Sequence, residues 1–251
     1  RGGGEDPPML RVNTLGGLTL AVEDVPVTGV LTQRRRLALL ALLAVARDRG
    51  VSRDKLVAYL WPESPAPDAL HALSQLLYAQ RKAFAPHELF LGRKTVRLNP
   101  AVARSDVWDF EDALDRGALA EAVAHYGGPF LDGFFLRGAP EFERWVDAQR
   151  DRLAGRMRAA CIQLARAARA ADDRAAAADW WQRAAAVDPL DSHVAAEVVK
   201  ELEGLGNRSA ALAHAEAHVQ RLRRELGVGP DSQLLALIDR LRKGDPPALA
   251  S

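Results

Sequence analysis

The most informative pattern of apolar and polar positions lies between Val51 and Leu98. Two stretches with apolar residues at helical spacing, VSRDKLVAYLW and PDALHALSQLLYAQRKAFA, are separated by a proline-rich turn. The next stretch, LFLGRKTVRL, alternates around a basic turn and predicts a short hairpin. The order helix, turn, helix and hairpin is typical of a winged helix-turn-helix, which places its second helix in the DNA major groove.

Different patterns flank this segment on both sides. Between Met9 and Val30, alternating runs broken by glycine and proline predict short antiparallel strands. Residues 33–47, QRRRLALLALLAVAR, predict a helix so apolar that most of it must be buried. After Pro100 the chain is rich in alanine, which favours helix nearly to its end. We therefore expect a mainly α protein with a small β part.

The helical half contains a weak internal repeat. The sequence from Asp172 to Ala178 recurs loosely 34 residues later, from Gly206 to Leu212, and this offset is the tetratricopeptide period. Ala177 and Trp181 fall where that motif places a small and an aromatic residue. The last repeat helix is expected to end at Leu226, just before Gly227. A generic alanine-rich bundle is the alternative.

Composition limits the class of protein. A chain of 251 residues with 48% hydrophobic content can form one large or two modest domains. No apolar run approaches the roughly 18 residues of a membrane span, so no membrane partner is expected. Its single cysteine, Cys161, allows no internal disulfide, which indicates a reducing compartment and a cytoplasmic protein.

Charge is distributed unevenly along the chain. Residues 1–103 contain 14 Lys and Arg against 9 Asp and Glu, whereas residues 104–251 have an excess of acidic groups. The first segment is therefore the better candidate to meet a polyanion such as double-stranded DNA.

The second helix of the helix-turn-helix has two distinct faces. Pro67 suits its first turn, where a missing N–H costs no hydrogen bond. An apolar stripe is predicted to be buried, and a polar face carries groups that hydrogen-bond base edges or phosphates. The alternative is that the polar face is merely solvated. The stripe comprises Leu70, Leu73, Leu77 and Phe84, and the predicted base-contact and phosphate-contact residues are His71, Ser74, Gln75, Tyr78, Arg81 and Lys82.

Two groups of cations flank this helix in the sequence. One is at the hairpin tip and the other precedes the apolar helix, where cations and helix amino termini commonly contact phosphate. The alternative for the second group is simple solvation. The predicted backbone-contact residues are Arg34, Arg35, Arg36, Arg93, Lys94 and Arg97.

Motifs for enzymatic chemistry are missing from the sequence. It contains no GxxxxGK[ST] loop, GxSxG elbow, HExxH or paired CxxC. Cys161 is interpreted as a buried structural thiol, and His214 and His218 as solvated surface residues because no third metal ligand is near them. No catalytic residue, metal or cofactor is therefore expected.

Several segments of the sequence resemble a known family. The segment from Gln33 to Phe84 is similar to the OmpR-type winged helix of the Streptomyces antibiotic regulatory protein family, also called the AfsR/DnrI/RedD family. Three later segments resemble the bacterial transcriptional activator domain that follows it in those regulators: Tyr126–Leu153, Ala186–Asp191 and Arg224–Pro230. The likeness extends over roughly Met9 to Leu241.

The resemblance implies roles and partners. The helix from Pro67 to Ala85 would lie in the major groove, the hairpin would act as the wing, and the loop Pro62–Ala66 would touch RNA polymerase. Family recognition helices usually carry more arginine toward their ends than this one does, which indicates weak or partner-assisted binding. The protein would bind promoter repeats as a homodimer or as tandem protomers.

The expected organisation follows from these patterns together. Residues 1–8 form a flexible leader, residues 9–103 a winged helix DNA-binding domain, residues 104–243 a tetratricopeptide-like activator domain and residues 244–251 a tail. The expected function is a sequence-specific transcriptional activator. The alternative is an interaction scaffold, in which the winged helix binds DNA weakly or not at all and the repeats bind a partner or effector.

Overall fold

The computed structural model describes residues 9–29 and 33–243. Val30, the predicted leader and the predicted tail lie outside the described residues. The strands are β1 Leu10–Asn13, β2 Thr19–Val22, β3 Val25–Pro26, β4 Val51–Ser52, β5 Phe90–Leu91, β6 Thr95–Leu98 and β7 Ala103–Ser105. The helices are α1 Arg34–Ala46, α2 Arg53–Leu60, α3 Ala66–Ala83, α4 Asp106–Asp115, α5 Leu119–His125, α6 Pro140–Ala170, α7 Arg174–Val187, α8 Ser192–Gly204, α9 Arg208–Leu226 and α10 Ser232–Lys243.

The strands form two small sheets. In the first, with order β3, β2, β1, β7, the strands β1, β2 and β3 pair antiparallel, as predicted, and β7 pairs parallel to β1. In the second, β6 lies between β4 and β5, and the β5–β6 pair is the predicted hairpin. The predicted fold class, mainly α with a small β part, is confirmed.

Helix α1 is the buried centre of the winged helix region. All eight residues from Leu37 to Ala44 are buried. A helix that is apolar on every side is stable only when other elements surround it, and here α2, α4 and both sheets pack against it. The prediction of a buried helix over residues 33–47 is confirmed.

The helix-turn-helix follows the predicted local signals with one correction. The Ser52 hydroxyl accepts a hydrogen bond from the Lys55 backbone N–H, which caps α2, and Pro67 occupies the first turn of α3. Leu73, Leu77 and Phe84 are buried as expected, but Leu70 is 36% exposed. Its place in the interior is taken by Ala69, which is fully buried one position earlier.

The described chain divides into two compact units, with the division inside α6 between Leu153 and Ala154. The first unit includes α4 because the Asp106 carboxylate accepts hydrogen bonds from the backbone N–H groups of Thr14 and Leu15, each at 2.7 Å. These bonds fasten the amino end of α4 to the end of β1. The domain limits predicted from the sequence, 9–103 and 104–243, remain predictions.

The second unit contains the helical repeat. Helix α8 packs against both α7 and α9, and the small and aromatic positions of the first repeat, Ala177 and Trp181, are buried. Helix α9 ends at Leu226, and Gly227 follows with a left-handed φ of 68°. This is the predicted termination, because glycine adopts that conformation without a Cβ penalty. The tetratricopeptide-like interpretation of this half is confirmed.

Two histidines were assigned wrongly from the sequence. His218 is only 4% exposed, because it belongs to a buried stripe of α9 with Ala211, Ala215 and Leu222. Its Nδ1 lies 3.1 Å from the Pro189 carbonyl oxygen, and its Nε2 lies 3.0 Å from the Ser192 hydroxyl. His214, one turn earlier, is half-buried. Neither is a solvated surface residue, and the spacing of the stripe was the signal that could have shown this.

Among the described residues, no helix is long and apolar enough to cross a membrane.

Candidate nucleic-acid interface

Helix α3 presents the predicted polar face to solvent. Its opposite side is held in the core by buried Leu73, Leu76 and Leu77. The structure therefore brings the predicted contact residues together on one accessible surface. His71, Ser74, Gln75, Tyr78 and Lys82 are exposed, and Arg81 is half-buried.

The Ser74 hydroxyl is already engaged within the protein. Its Oγ donates to the Leu70 carbonyl oxygen at 2.8 Å and accepts from Arg53 Nη1 at 3.3 Å. A hydroxyl has one proton to donate, so Ser74 retains only acceptor capacity toward a ligand. Tyr78, which is 63% exposed, offers both a ring face and a phenolic hydroxyl.

The hairpin between β5 and β6 has the geometry of a wing. Gly92 opens its turn at φ 84°, and a Cβ at that position would lie 2.1 Å from the Thr95 carbonyl oxygen, so only glycine fits. Arg93 and Lys94, at the tip, are exposed. Arg97 is also exposed, and its Nη1 lies 3.4 Å from the Asp48 carbonyl oxygen.

Arg53 connects this wing to α3. Its backbone N–H donates to the Lys94 carbonyl oxygen at 3.1 Å, and its Nε donates to the Arg93 carbonyl oxygen at 2.8 Å. Together with the bond to Ser74, these contacts fix the wing tip beside the polar face. The sequence analysis did not single out Arg53. Its position just after the cap of α2 was visible, but its partners are 21 to 41 residues away.

The cations at the start of α1 have partners inside the protein. Arg34 Nη1 donates to the Phe135 carbonyl oxygen at 2.6 Å, and its guanidinium lies over the Phe134 ring. Arg35 Nε donates to the Leu60 carbonyl oxygen at 3.0 Å. A guanidinium has five N–H donors, so each of these side chains keeps donors for an anion while its position is restrained.

The single cysteine of the chain is a buried structural residue. The thiol of Cys161 is fully buried, and burial raises its pKa to about 11, which leaves it a poor nucleophile. Within residues 9–29 and 33–243, no group of three or more His, Cys, Asp or Glu side chains could hold a metal ion.

Comparison with known proteins decides the family. The model of the bacterial transcriptional activator domain matches residues 93–242, which is more than half of the chain. The chain belongs to the bacterial transcriptional activator domain family. The resemblance to the Streptomyces antibiotic regulatory proteins is thereby confirmed, and this activator domain protein is a transcriptional regulator of that type.

A solved structure agrees with this assignment at the level of the fold. The activator domain protein is similar to EmbR of Mycobacterium tuberculosis, solved in complex with a low affinity phosphopeptide, with 22% identity and a TM-score of 0.63. The match covers 96% of this chain and 67% of that one, so the fold extends over both compact units. No curated protein matches the chain.

Proposed function

We propose that this regulator binds double-stranded DNA in a sequence-specific manner, with α3 in the major groove and the hairpin as its wing. The observation that carries the proposal is the exposed row of His71, Gln75, Tyr78 and Lys82 beside a wing that Arg53 holds in place. Gln side chains hydrogen-bond adenine edges, Lys side chains contact guanine or phosphate, and wing cations approach phosphates. Arg34, Arg35, Arg36, Arg93, Lys94 and Arg97 are the proposed backbone contacts.

The second part of the proposal is activation of transcription. The segment from Pro62 to Ala66, which joins α2 to the first residue of α3, is exposed along its whole length. In the family it resembles, this loop contacts RNA polymerase, and we assign it that role here. The regulator would act in the cytoplasm, without enzymatic activity or cofactor, as a homodimer or as tandem protomers on promoter repeats.

Selection from a random DNA pool tests the central claim. Purified protein is incubated with duplexes that carry a randomised segment, bound DNA is recovered through several rounds, and the product is sequenced. Enrichment of a short repeated element supports specific binding, and a mobility shift of that element should weaken steeply with salt. A pool that stays featureless would overturn the proposal.

A second candidate function is a protein-interaction or effector-binding scaffold. It is favoured by a cavity of about 260 Å³ in the second unit, lined by Arg166, Arg169, Trp181, His193, Glu197 and Glu201. It is also favoured by the composition of α3, whose first two turns contain no Lys or Arg. Recovery of one protein partner by pull-down, together with a featureless DNA pool, would support this function over the first.

A further inference from the structure

A large cavity lies beside the polar face of α3, within the first unit. Its volume is about 880 Å³. Four arginines and an exposed aromatic ring line it together with one wall of α3, and we call it the arginine cavity. The residues that matter here are Arg34, Arg35, Arg36, Arg137, Gln75 and Phe135.

The charge of the arginine cavity is of one sign. No Asp or Glu is among the described residues that line it. A guanidinium presents N–H donors in a planar fork that matches the oxygens of a phosphate, so four such groups around one cavity favour a phosphate-bearing ligand.

The loop that carries Arg137 is fixed from two sides. Arg34 donates to the Phe135 carbonyl oxygen at 2.6 Å, and the Leu136 backbone N–H donates to Glu143 Oε1 at 2.7 Å. The side chain of Arg137 itself is exposed and has no hydrogen bond or ion pair with any other residue that the structure describes. A guanidinium on a restrained backbone, with no partner among the described residues, is well placed to bind an anion.

The position of the cavity indicates the source of the phosphate that it would bind. Its α3 wall consists of Gln75, Leu76 and Ala79, and Gln75 also belongs to the proposed reading face. The sugar-phosphate strands run along both edges of a helix that occupies the major groove, so cations at such an edge face the DNA backbone.

We propose that the arginine cavity receives a sugar-phosphate segment of the bound DNA, and that Arg137 is a phosphate contact outside the winged helix. This inference rests on the proposed DNA binding. It extends the interface to a loop that precedes α6 and lies within the segment matched by the activator domain model. Arg34, Arg35 and Arg36 would act with Arg137 on the same strand.

Salt dependence provides the first test. Arg137→Gln is compared with Arg116→Gln, which removes another exposed cation, one that pairs with Glu121 and does not line the cavity. Binding is measured by fluorescence anisotropy on the selected duplex and on a scrambled duplex. Arg137→Gln should lower the log–log salt slope by about 0.9 and weaken both duplexes about fivefold near 0.1 M salt, whereas Arg116→Gln should change neither.

Directed cleavage of DNA provides the second test. An iron chelate is attached to Arg137→Cys or, as control, to Arg116→Cys. The native Cys161 should stay unlabelled because it is buried and its pKa is raised to about 11. The chelate at position 137 should cut the backbone beside the selected element, and the chelate at position 116 should not.

The outcomes separate this inference from the proposed function. If wild-type protein binds no duplex, both fail. If it binds, but Arg137→Gln behaves as Arg116→Gln does and no cut appears, only the cavity assignment is overturned. Binding of a free nucleotide in the cavity without displacement of DNA would also overturn it, because the cavity would then be a small-ligand site.

Discussion

The guanidinium of Arg53 donates to the carbonyl oxygen of Arg93, 40 residues away, at 2.8 Å. The same side chain reaches the hydroxyl of Ser74 on α3. One residue of α2 therefore sets the distance between the wing tip and the face proposed to read bases. In the proposed DNA complex, a misplaced wing could not meet a phosphate while α3 lies in the groove, so we assign Arg53 as a positioning residue of the proposed interface.

Replacement of Arg53 by methionine should loosen the wing. We expect faster hydrogen exchange at the backbone amides of β5 and β6 and a loss of about 1 kcal/mol in the free energy of unfolding, the scale of a hydrogen bond. The loss of DNA affinity should be larger than the loss caused by removing one positive charge alone. Lys55→Met is the control, because Lys55 is an exposed cation of α2 whose ammonium group lies over the Tyr59 ring. Equal exchange rates in the two variants would contradict the positioning role.

Gln75 and Lys82 should differ in how their loss affects binding. Gln75→Ala should cost about 1–3 kcal/mol on the selected element and much less on a scrambled duplex, because a base contact is lost. Lys82→Ala should weaken both duplexes alike and lower the salt slope by about 0.9, as expected for a phosphate contact. Anisotropy titrations at several salt concentrations measure both. Unchanged binding in both variants would remove this face from the interface.

Replacement of Gln80 should stabilise the protein. Gln80 is 1% exposed, and neither its Nε2 nor its Oε1 has a hydrogen-bond partner among the described residues. An unsatisfied buried polar group costs about 1–3 kcal/mol, so Gln80→Met should raise the free energy of unfolding by about 1 kcal/mol in urea titrations. Gln75→Met makes the same change at an exposed position of α3 and should stay within about 0.5 kcal/mol. A destabilised Gln80→Met would show that the amide has a partner.

The second unit should lose stability in mild acid. Burial lowers the pKa of His218, and also that of His214, below the ordinary 6.5. The unfolded chain then binds more protons, so the stability these residues provide is complete above pH 6.5 and is lost as the pH falls through their folded pKa values. Thermal melts at pH 7.5 and 5.5 should show a smaller loss for His218→Gln than for wild type. His193→Gln, at an exposed site, should retain the wild-type loss, and equal losses in all three proteins would contradict the assignment.

Features that depend on residues close together in the chain could be predicted from the sequence. The Ser52 cap, the proline in the first turn of α3 and Gly227 after α9 each act within a few residues, and each is found where expected. The uninterrupted apolar run of α1 also predicted its burial, because no exposed position would tolerate it.

Features that depend on distant partners could not be predicted in the same way. The restraint of Arg34 by Phe135 joins residues about a hundred positions apart, and nothing near Arg34 in the sequence indicates it. Leu70 was assigned to the interior because its spacing fitted the stripe, but spacing alone does not show where the neighbouring elements end. For the interface as a whole, the sequence predicted which side chains share a face, and the structure added what holds them there.

The parallel pairing of β1 with β7 has a consequence for dissection and for synthesis of the chain. Leu10 of β1 pairs with Ala103 of β7, so β1 depends on a strand that is synthesised more than ninety residues later. A fragment that stops after the hairpin at Leu98 would leave one edge of β1 open and would lack Asp106, which binds the end of that strand. On the ribosome, the nascent winged helix cannot complete its first sheet until β7 has left the exit tunnel.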